Sequence, residues 1–412
     1  MKKLIILGGG TAGTMMANKM HKLLDKKIWK ITIIDKDTIH YYQPGFLFIP
    51  FGIYKKEDVI KPRANYIPRG VDLILADVDR ISADENKVLL ADGQALEYDY
   101  LVIATGTEIR PDQTPGMLGD EWRKSIFDFY TFEGAVALTE QMKDWNGGKL
   151  VVAITEIPFK CPVAPLEFIF LADAFFSEKG IRGQVELTLV TPMSGAFTKP
   201  VATKMLSQIL DEKSINVVTD FYIEHIDNEN KKLVSYDEQE VAFDLLAIVP
   251  MNMGNEVIAR SGLGDDMNYV PTDKHTLQSK SHSNIFVIGD ATDIPTSKAG
   301  SVAHFAGEIL TENLHSAIEG RPLTASFDGH ANCFIETGYG KGTLIDFNYT
   351  TEPLPGTFPY PVIGPFKLLK PTRLNHIGKL LFRWMYWNIL LKGRELPIDS
   401  HMSMSGKKEL TV

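Results

Sequence analysis

Residues 2–35 read KKLIILGGGTAGTMMANKMHKLLDKKIWKITIID. Lys2–Leu7 is a short apolar run of β character that ends in Gly8-x-Gly10-x-x-Gly13. A helical stretch, 14–24, follows, and then a second strand, 31–34, that ends at Asp35. Strand, glycine turn, helix and strand in that order specify a parallel α/β unit. Gly8 permits the tight turn and Gly10 lets backbone approach a pyrophosphate. Gly13 lets helix and strand pack closely. The N–H groups around Thr11 and Ala12 open the helix and favour an anion there. Asp35 stands where a carboxylate accepts hydrogen bonds from a ribose. The unit therefore binds a dinucleotide, and at this point FAD and NAD are both open.

Outward from this unit the α/β alternation continues. Strand-like stretches at 71–75 and 87–90, with a turn at Asp92-Gly93, lead to an apolar run, 101–104, closed by Thr105-Gly106. A second series runs through a strand at 149–154, a helix at 165–176, a strand at 185–190, a helix at 201–211, and strands at 215–219 and 245–249. A third strand and turn, 285–288 and Gly289-Asp290, precedes a helix at 301–318. The stretches ending Ala104-Thr105-Gly106 and Ile288-Gly289-Asp290 resemble the paired signatures of flavoproteins built from two dinucleotide domains. That resemblance favours FAD and gives Asp290 the ribityl or pyrophosphate region. Prolines between 353 and 371 predict an extended connection, and 374–392 a helix.

Composition excludes other classes. The 412 residues carry a net charge of −9 with acids spread along the chain, unlike a nucleic-acid binder. Two cysteines and no Cys-x-x-Cys exclude a disulfide scaffold and a zinc knuckle, so no metal is expected. The N-terminal apolar run is too short for a secretory signal. No stretch reaches the ~18 apolar residues of a spanning helix, so the chain reads as soluble or surface-bound.

Flavoproteins that take NADH carry a second glycine triplet after the strand opening the second domain. Here that turn reads Thr155-Glu156-Ile157-Pro158-Phe159-Lys160-Cys161-Pro162, without glycine and with two prolines that lack a donor. No tight NAD(P)H site is expected. Cys161 sits in this turn beside Lys160 and before a helix, a setting that predicts a lowered thiol pKa. Cys333 lies far along the chain, and sequence alone does not bring the two together.

At these residues the chain resembles the sulfide:quinone oxidoreductases, with flavocytochrome c sulfide dehydrogenase as a cousin. The resemblance runs nearly the full length, through 8–13, Tyr42-Gln43-Pro44, Thr105-Gly106, Lys160-Cys161-Pro162, Gly289-Asp290, Lys298-Ala299-Gly300 and Cys333 to Lys379. It implies a redox pair of Cys161 and Cys333 that sulfide attacks. Cys333 would be the thiolate that passes electrons through FAD to a membrane quinone, with polysulfide or sulfur as product. Glu167 matches a carboxylate that handles protons, and Lys298 a lysine beside the flavin. Pro44 and Val78 are assigned to the same cofactor site, and Tyr42, Phe382 and Lys379 to the quinone pocket, with 359–366 on its rim. A cysteine that anchors flavin covalently in some members is Phe127 here, which implies non-covalent FAD. A histidine common near Gly195-Ala196-Phe197 is alanine.

Leu374, Ile377, Leu381, Phe382, Met385, Tyr386 and Ile389 recur at helical spacing, extended by Leu380, Trp384, Trp387 and Leu391, with His376, Lys379 and Arg383 as a basic stripe. This reads as a monotopic anchor lying on a bilayer. The expected fold is α/β. It comprises an FAD-binding domain split into 1–110 and 265–320, a second Rossmann-like domain over 111–264 without a functional NAD site, and a C-terminal quinone and membrane-interface region over 321–412. Expected partners are sulfide, a quinone and the surface of the cytoplasmic membrane. A homo-oligomer is left open. The competing readings are a flavocytochrome c-type sulfide dehydrogenase, a type-II NADH:quinone oxidoreductase, and a non-catalytic flavin or sulfur carrier.

Overall fold

Leu4, Ile6 and Ile33 face one side of a parallel sheet, and Ile5, Leu7 and Ile34 the other; both sides are buried, in separate cores. That is why the opening strands read as unbroken apolar runs. The computed structural model describes residues 1–396 and 398–408; Pro397 and the last four positions of the C-terminal region, 409–412, lie outside the described residues. In the first sheet the strand order is Ile285–Val287, Tyr100–Ile103, Lys2–Leu7, Trp29–Asp35 and Asp72–Leu75, all parallel. The edge strand Ile285–Val287 arrives from far along the chain, so this α/β unit is discontinuous in sequence. Its helix, Thr11–Leu23, begins earlier than the 14–24 expectation because Gly10 is already the extended residue at its start.

The second sheet has the order Ile126–Phe127, Leu245–Val249, Gly148–Ile154, Val185–Val190 and Asn216–Val218. It is parallel in every pair. The helix Ala164–Glu178 is buried along almost its whole length, with Phe168, Phe170 and Phe176 closed off from solvent. It packs against the hairpin strand Ala331–Gly338 as well as against its own sheet.

The hairpin Ala331–Gly338 with Lys341–Phe347 was not legible in the sequence. Glu336, Thr337, Thr343 and Asp346 are buried in it, and these polar side chains break the alternation that marks a strand. The connection expected to be merely extended contributes two short strands, Gly356–Phe358 and Phe366–Leu368, to the same four-stranded sheet.

The C-terminal helix differs most from expectation. It is Arg373–Met385, followed by one π turn, Tyr386–Leu390, rather than a single helix over 374–392. The basic stripe points inward: His376 bonds Glu336, Lys379 pairs with Glu167, and Arg383 with Asp58. Leu374, Ile377, Leu381 and Trp384 are 45–56% exposed. In the preceding connection Val362 and Ile363 are 90% and 80% exposed. The predicted apolar face is thus divided, since Tyr386, Trp387 and Leu391 are buried against the first unit. Among the described residues, no helix is long and apolar enough to cross a membrane.

Candidate active site

A cavity of about 440 Å³ is lined by the glycine turn of the first unit, the Cys161 turn, the Gly289-Asp290 turn, the hairpin and the C-terminal helix. The glycine turn is a backbone cradle. Gly8 holds φ +100, and a side chain there would run into Ala104. Gly10 faces open space at the helix start, so nothing stands between its backbone and an incoming anion. Gly13 is outside the cavity lining; a side chain on it would strike the Gly8 carbonyl, and its role is close packing. Thr11, Ala12, Pro44, Ala104, Thr105 and Gly106 all line the cavity. The Thr105 hydroxyl is buried without a partner. An elongated dinucleotide fits this donor set: bare backbone at the helix N-terminus, a carboxylate at the strand end and an orphaned hydroxyl between them.

Asp35 is held in place. Its carboxylate accepts from the Gly9 N–H at 2.6 Å and the Asp37 N–H at 2.9 Å, and pairs with Arg63 at 3.1 Å. Arg63 is buried, reaches the carbonyls of Gly9, Asp37 and Ile39, and braces the turn from behind. Tyr386 closes the other side. Its hydroxyl is 2.7 Å from the Thr11 hydroxyl and 2.7 Å from His40 Nε2, which ties the π turn to the helix start. Burial, reinforced by Arg63, pushes His40 down to about 3, so its ring is neutral. Sequence reading missed Arg63 and His40 and placed Tyr386 on an apolar face. The available signal was that a buried tyrosine hydroxyl needs a hydrogen-bond partner.

Asp290 lines the cavity, and burial raises its pKa against the pull of Lys298 and Lys160. Lys298 donates to the backbone carbonyls of Asp290 at 3.0 Å and Thr292 at 2.8 Å and lies over the Tyr269 ring; burial lowers it to about 8. Val78 does not reach the site. It lies in a separate antiparallel sheet, where its carbonyl accepts from Arg260, and it is not among the lining residues. Phe127 is buried in the second sheet, also away from the lining.

Cys161 and Cys333 line the same cavity, both as free thiols. The Cys161 turn is fixed by its own backbone: Thr155 bonds Val249, Lys160 bonds Asn252, and the Cys161 N–H donates to the Lys298 carbonyl at 2.8 Å. Cys161 holds φ +50, a left-handed conformation that few non-glycine residues adopt. The expected lowering of its pKa is wrong. Burial pushes both thiols up to about 12, and Lys160 turns away to bond Gln43 at 3.0 Å. The cation that opposes this rise at both thiols is Lys379.

Lys379 forms a buried ion pair with Glu167 and donates to the Phe334 carbonyl at 3.0 Å. Burial raises the Glu167 pKa, and Lys379 opposes it; Lys379 stays charged because Glu167 and Glu336 outweigh its own burial. The second Glu167 oxygen has no partner. Tyr42 is buried with its ring 4.8 Å from Tyr386 and 6.4 Å from Phe382, so aromatic walls flank this end of the cavity. The 359–366 segment is not among the lining residues, and it reaches the cavity wall through Phe366, packed on Phe334. Among the described residues there is no cluster of metal-ligating side chains.

The pyridine nucleotide-disulphide oxidoreductase family profile matches residues 2–153. The mitochondrial sulfide:quinone oxidoreductase of Dictyostelium discoideum is 30% identical over 401 residues, which cover 95% of this chain and 86% of that protein. The mitochondrial protein of the same name from Mus musculus is 25% identical over 398 residues, 95% of this chain and 86% of that one. The X-ray structure of the sulfide:quinone oxidoreductase from Aquifex aeolicus superposes with a TM-score of 0.79 at 22% identity. It covers 96% of this chain and 92% of that one, a likeness of fold.

Proposed function

The chain belongs to the sulfide:quinone oxidoreductase family, and we propose that it oxidises sulfide to polysulfide or sulfur at a Cys161–Cys333 pair and passes the electrons to a membrane quinone. It is an oxidoreductase and a flavoprotein, with FAD as its cofactor. The observation that carries the reading is that two cysteines remote in sequence line one cavity with the dinucleotide cradle and a buried Lys379–Glu167 pair.

The residues divide the work as follows. With the pair oxidised, hydrosulfide attacks the Cys161 sulfur, the S–S bond between the cysteines breaks, and a new S–S bond makes Cys161 a persulfide. The electron pair leaves on Cys333 as a thiolate. Lys379 stabilises that negative charge beside the two sulfurs. Further sulfide lengthens or releases the bound sulfur. The Gly8-to-Gly10 turn, Asp35, Thr105 and the Gly289-Asp290 turn would hold FAD without a covalent bond, and FAD bound there would supply two-electron acceptance from sulfur and delivery to quinone. Tyr42 and Phe382 flank the quinone, and Glu167 handles a proton beside it. The exposed face of Leu374, Ile377, Leu381 and Trp384, with Val362 and Ile363, rests on the cytoplasmic membrane without spanning it.

The test is anaerobic addition of sulfide to the purified flavoprotein. Flavin absorbance should bleach, and Cys161→Ser and Cys333→Ser should each abolish the bleaching. Unimpaired reduction in either variant would exclude the pair. Rapid bleaching by NADH would instead favour the type-II NADH:quinone oxidoreductase reading.

A further inference from the structure

Glu336 is fully buried, and among the described residues its salt-bridge partner is a histidine, His376, rather than a lysine or arginine. Nδ1 of His376 lies 3.0 and 2.9 Å from the two carboxylate oxygens. The His376 side chain is 21% exposed, so the ring spans from solvent to the buried acid. On the other side the Glu336 N–H donates to Glu167 Oε1 at 2.7 Å. Lys379 stands one turn beyond His376 on the same helix, and its ammonium feels both carboxylates. Hence a histidine and two buried carboxylates lie between the protein surface and the cavity that Glu167 and Lys379 line; the Glu336 backbone N–H makes the bond to Glu167, and among the described residues no salt bridge joins the Glu336 carboxylate to Lys379. The charged groups bearing on His376 are Glu336 from the hairpin and Lys379 from its own helix; the bond to Glu336 raises its pKa against burial.

The proposed reaction needs such a connection. Oxidation of hydrosulfide to the sulfur(0) level releases two electrons and one proton, whereas a quinone takes two of each to become the quinol. Each turnover therefore draws one proton from water into the site. We propose that His376 and Glu336 form the solvent end of the proton path that refills the Lys379–Glu167 pair during quinone reduction. His376 takes a proton from water at Nε2 and gives the one on Nδ1 to Glu336. From the Glu336 carboxylate the proton crosses by way of a bridging water to the Lys379–Glu167 pair as that pair protonates the quinone. Histidine suits the outer position because it exchanges protons near neutral pH. A lysine there would make a static ion pair.

This rests on the sulfide:quinone reading, and the experiment separates the two. Full-length holoenzyme and its His376→Gln and Glu336→Gln variants are assayed with sulfide and a soluble short-chain quinone across pH. Quinone turnover should fall about 10-fold or more in each variant, with loss of the histidine limb of the pH profile. Added imidazole should restore His376→Gln but not Glu336→Gln. Single-turnover reduction of the flavin by sulfide, which needs no proton from water, should keep its rate. The path is overturned if His376→Gln matches the parent in turnover and pH profile. It is also overturned if both half-reactions slow together without rescue, which is what a purely structural residue would give. A parent inert toward sulfide and quinone overturns the functional reading and this path with it.

Discussion

Replacing Lys379 by methionine keeps the length of the side chain and removes its charge. Two effects follow from its position. The first is on stability: Glu167 is left buried without its cation, and breaking one side of a buried pair costs roughly 3–5 kcal/mol. The paired change Lys379→Met with Glu167→Gln removes both charges and should recover most of that loss. The second effect is on chemistry. Burial already holds both thiols at about 12, and Lys379 pulls each of them down. A neighbouring opposite charge is worth roughly 1–3 pKa units, or about 1.4–4 kcal/mol of thiolate stability. If about half of this is felt in the transition state for opening the Cys161–Cys333 bond, sulfide should reduce the flavin about 3–30-fold more slowly. Anaerobic stopped-flow at fixed pH, read at the flavin absorbance, measures this rate directly, and a urea titration of the same samples measures the stability. The reasoning would be refuted by a folded Lys379→Met protein that sulfide reduces within about twofold of the parent rate.

Three further outcomes are expected. Tyr386→Phe removes the hydroxyl shared by Thr11 and His40, and a lost hydrogen bond of about 0.5–1.5 kcal/mol should weaken FAD binding roughly 2–13-fold. Fluorescence titration of the apoprotein would show it, with Thr11→Val giving no additive loss. His40 is held at about 3 when folded and returns to about 6.5 on unfolding. Its stabilising contribution is present above pH ~6.5 and lost as pH falls toward about 3, because only the unfolded chain takes the proton; His40→Gln should flatten that limb of a plot of stability against pH. Finally, Trp384→Ser combined with Ile363→Ser removes two exposed apolar side chains and should release the protein from lipid vesicles in a sedimentation assay while leaving flavin content unchanged. Full retention on vesicles would remove that face from the membrane contact.

The N-terminal unit was legible because local rules and tertiary demands coincide there. Gly8, Gly10, Gly13 and Asp35 perform backbone and strand-end tasks that depend on neighbours a few residues away. The hairpin of 331–347 was hidden because its buried Glu336 and Asp346 are paired with His376 and with His330 and Lys407, and Thr343 is buried beside them, so its sequence lacks the alternation of an ordinary strand. The C-terminal helix was read as one amphipathic element over 374–392, and the structure has a helix over Arg373–Met385 followed by a π turn. Which partners its charged stripe meets was not legible, since periodicity defines a face without saying what covers it. His376, Lys379 and Arg383 turn inward because Glu336, Glu167 and Asp58 await them.

The two cysteines illustrate the same division. Their number, the absence of glycine in the Cys161 turn and the order of the α/β units are properties of the sequence, and they are enough to place the chain among flavoproteins without a second glycine cradle. The shared cavity, the burial that raises both thiols instead of lowering one, and the choice of Lys379 over adjacent Lys160 as their cation were decided by tertiary structure. Electrostatic effects follow distance through the folded interior, and chain proximity constrains that distance only within a turn or two.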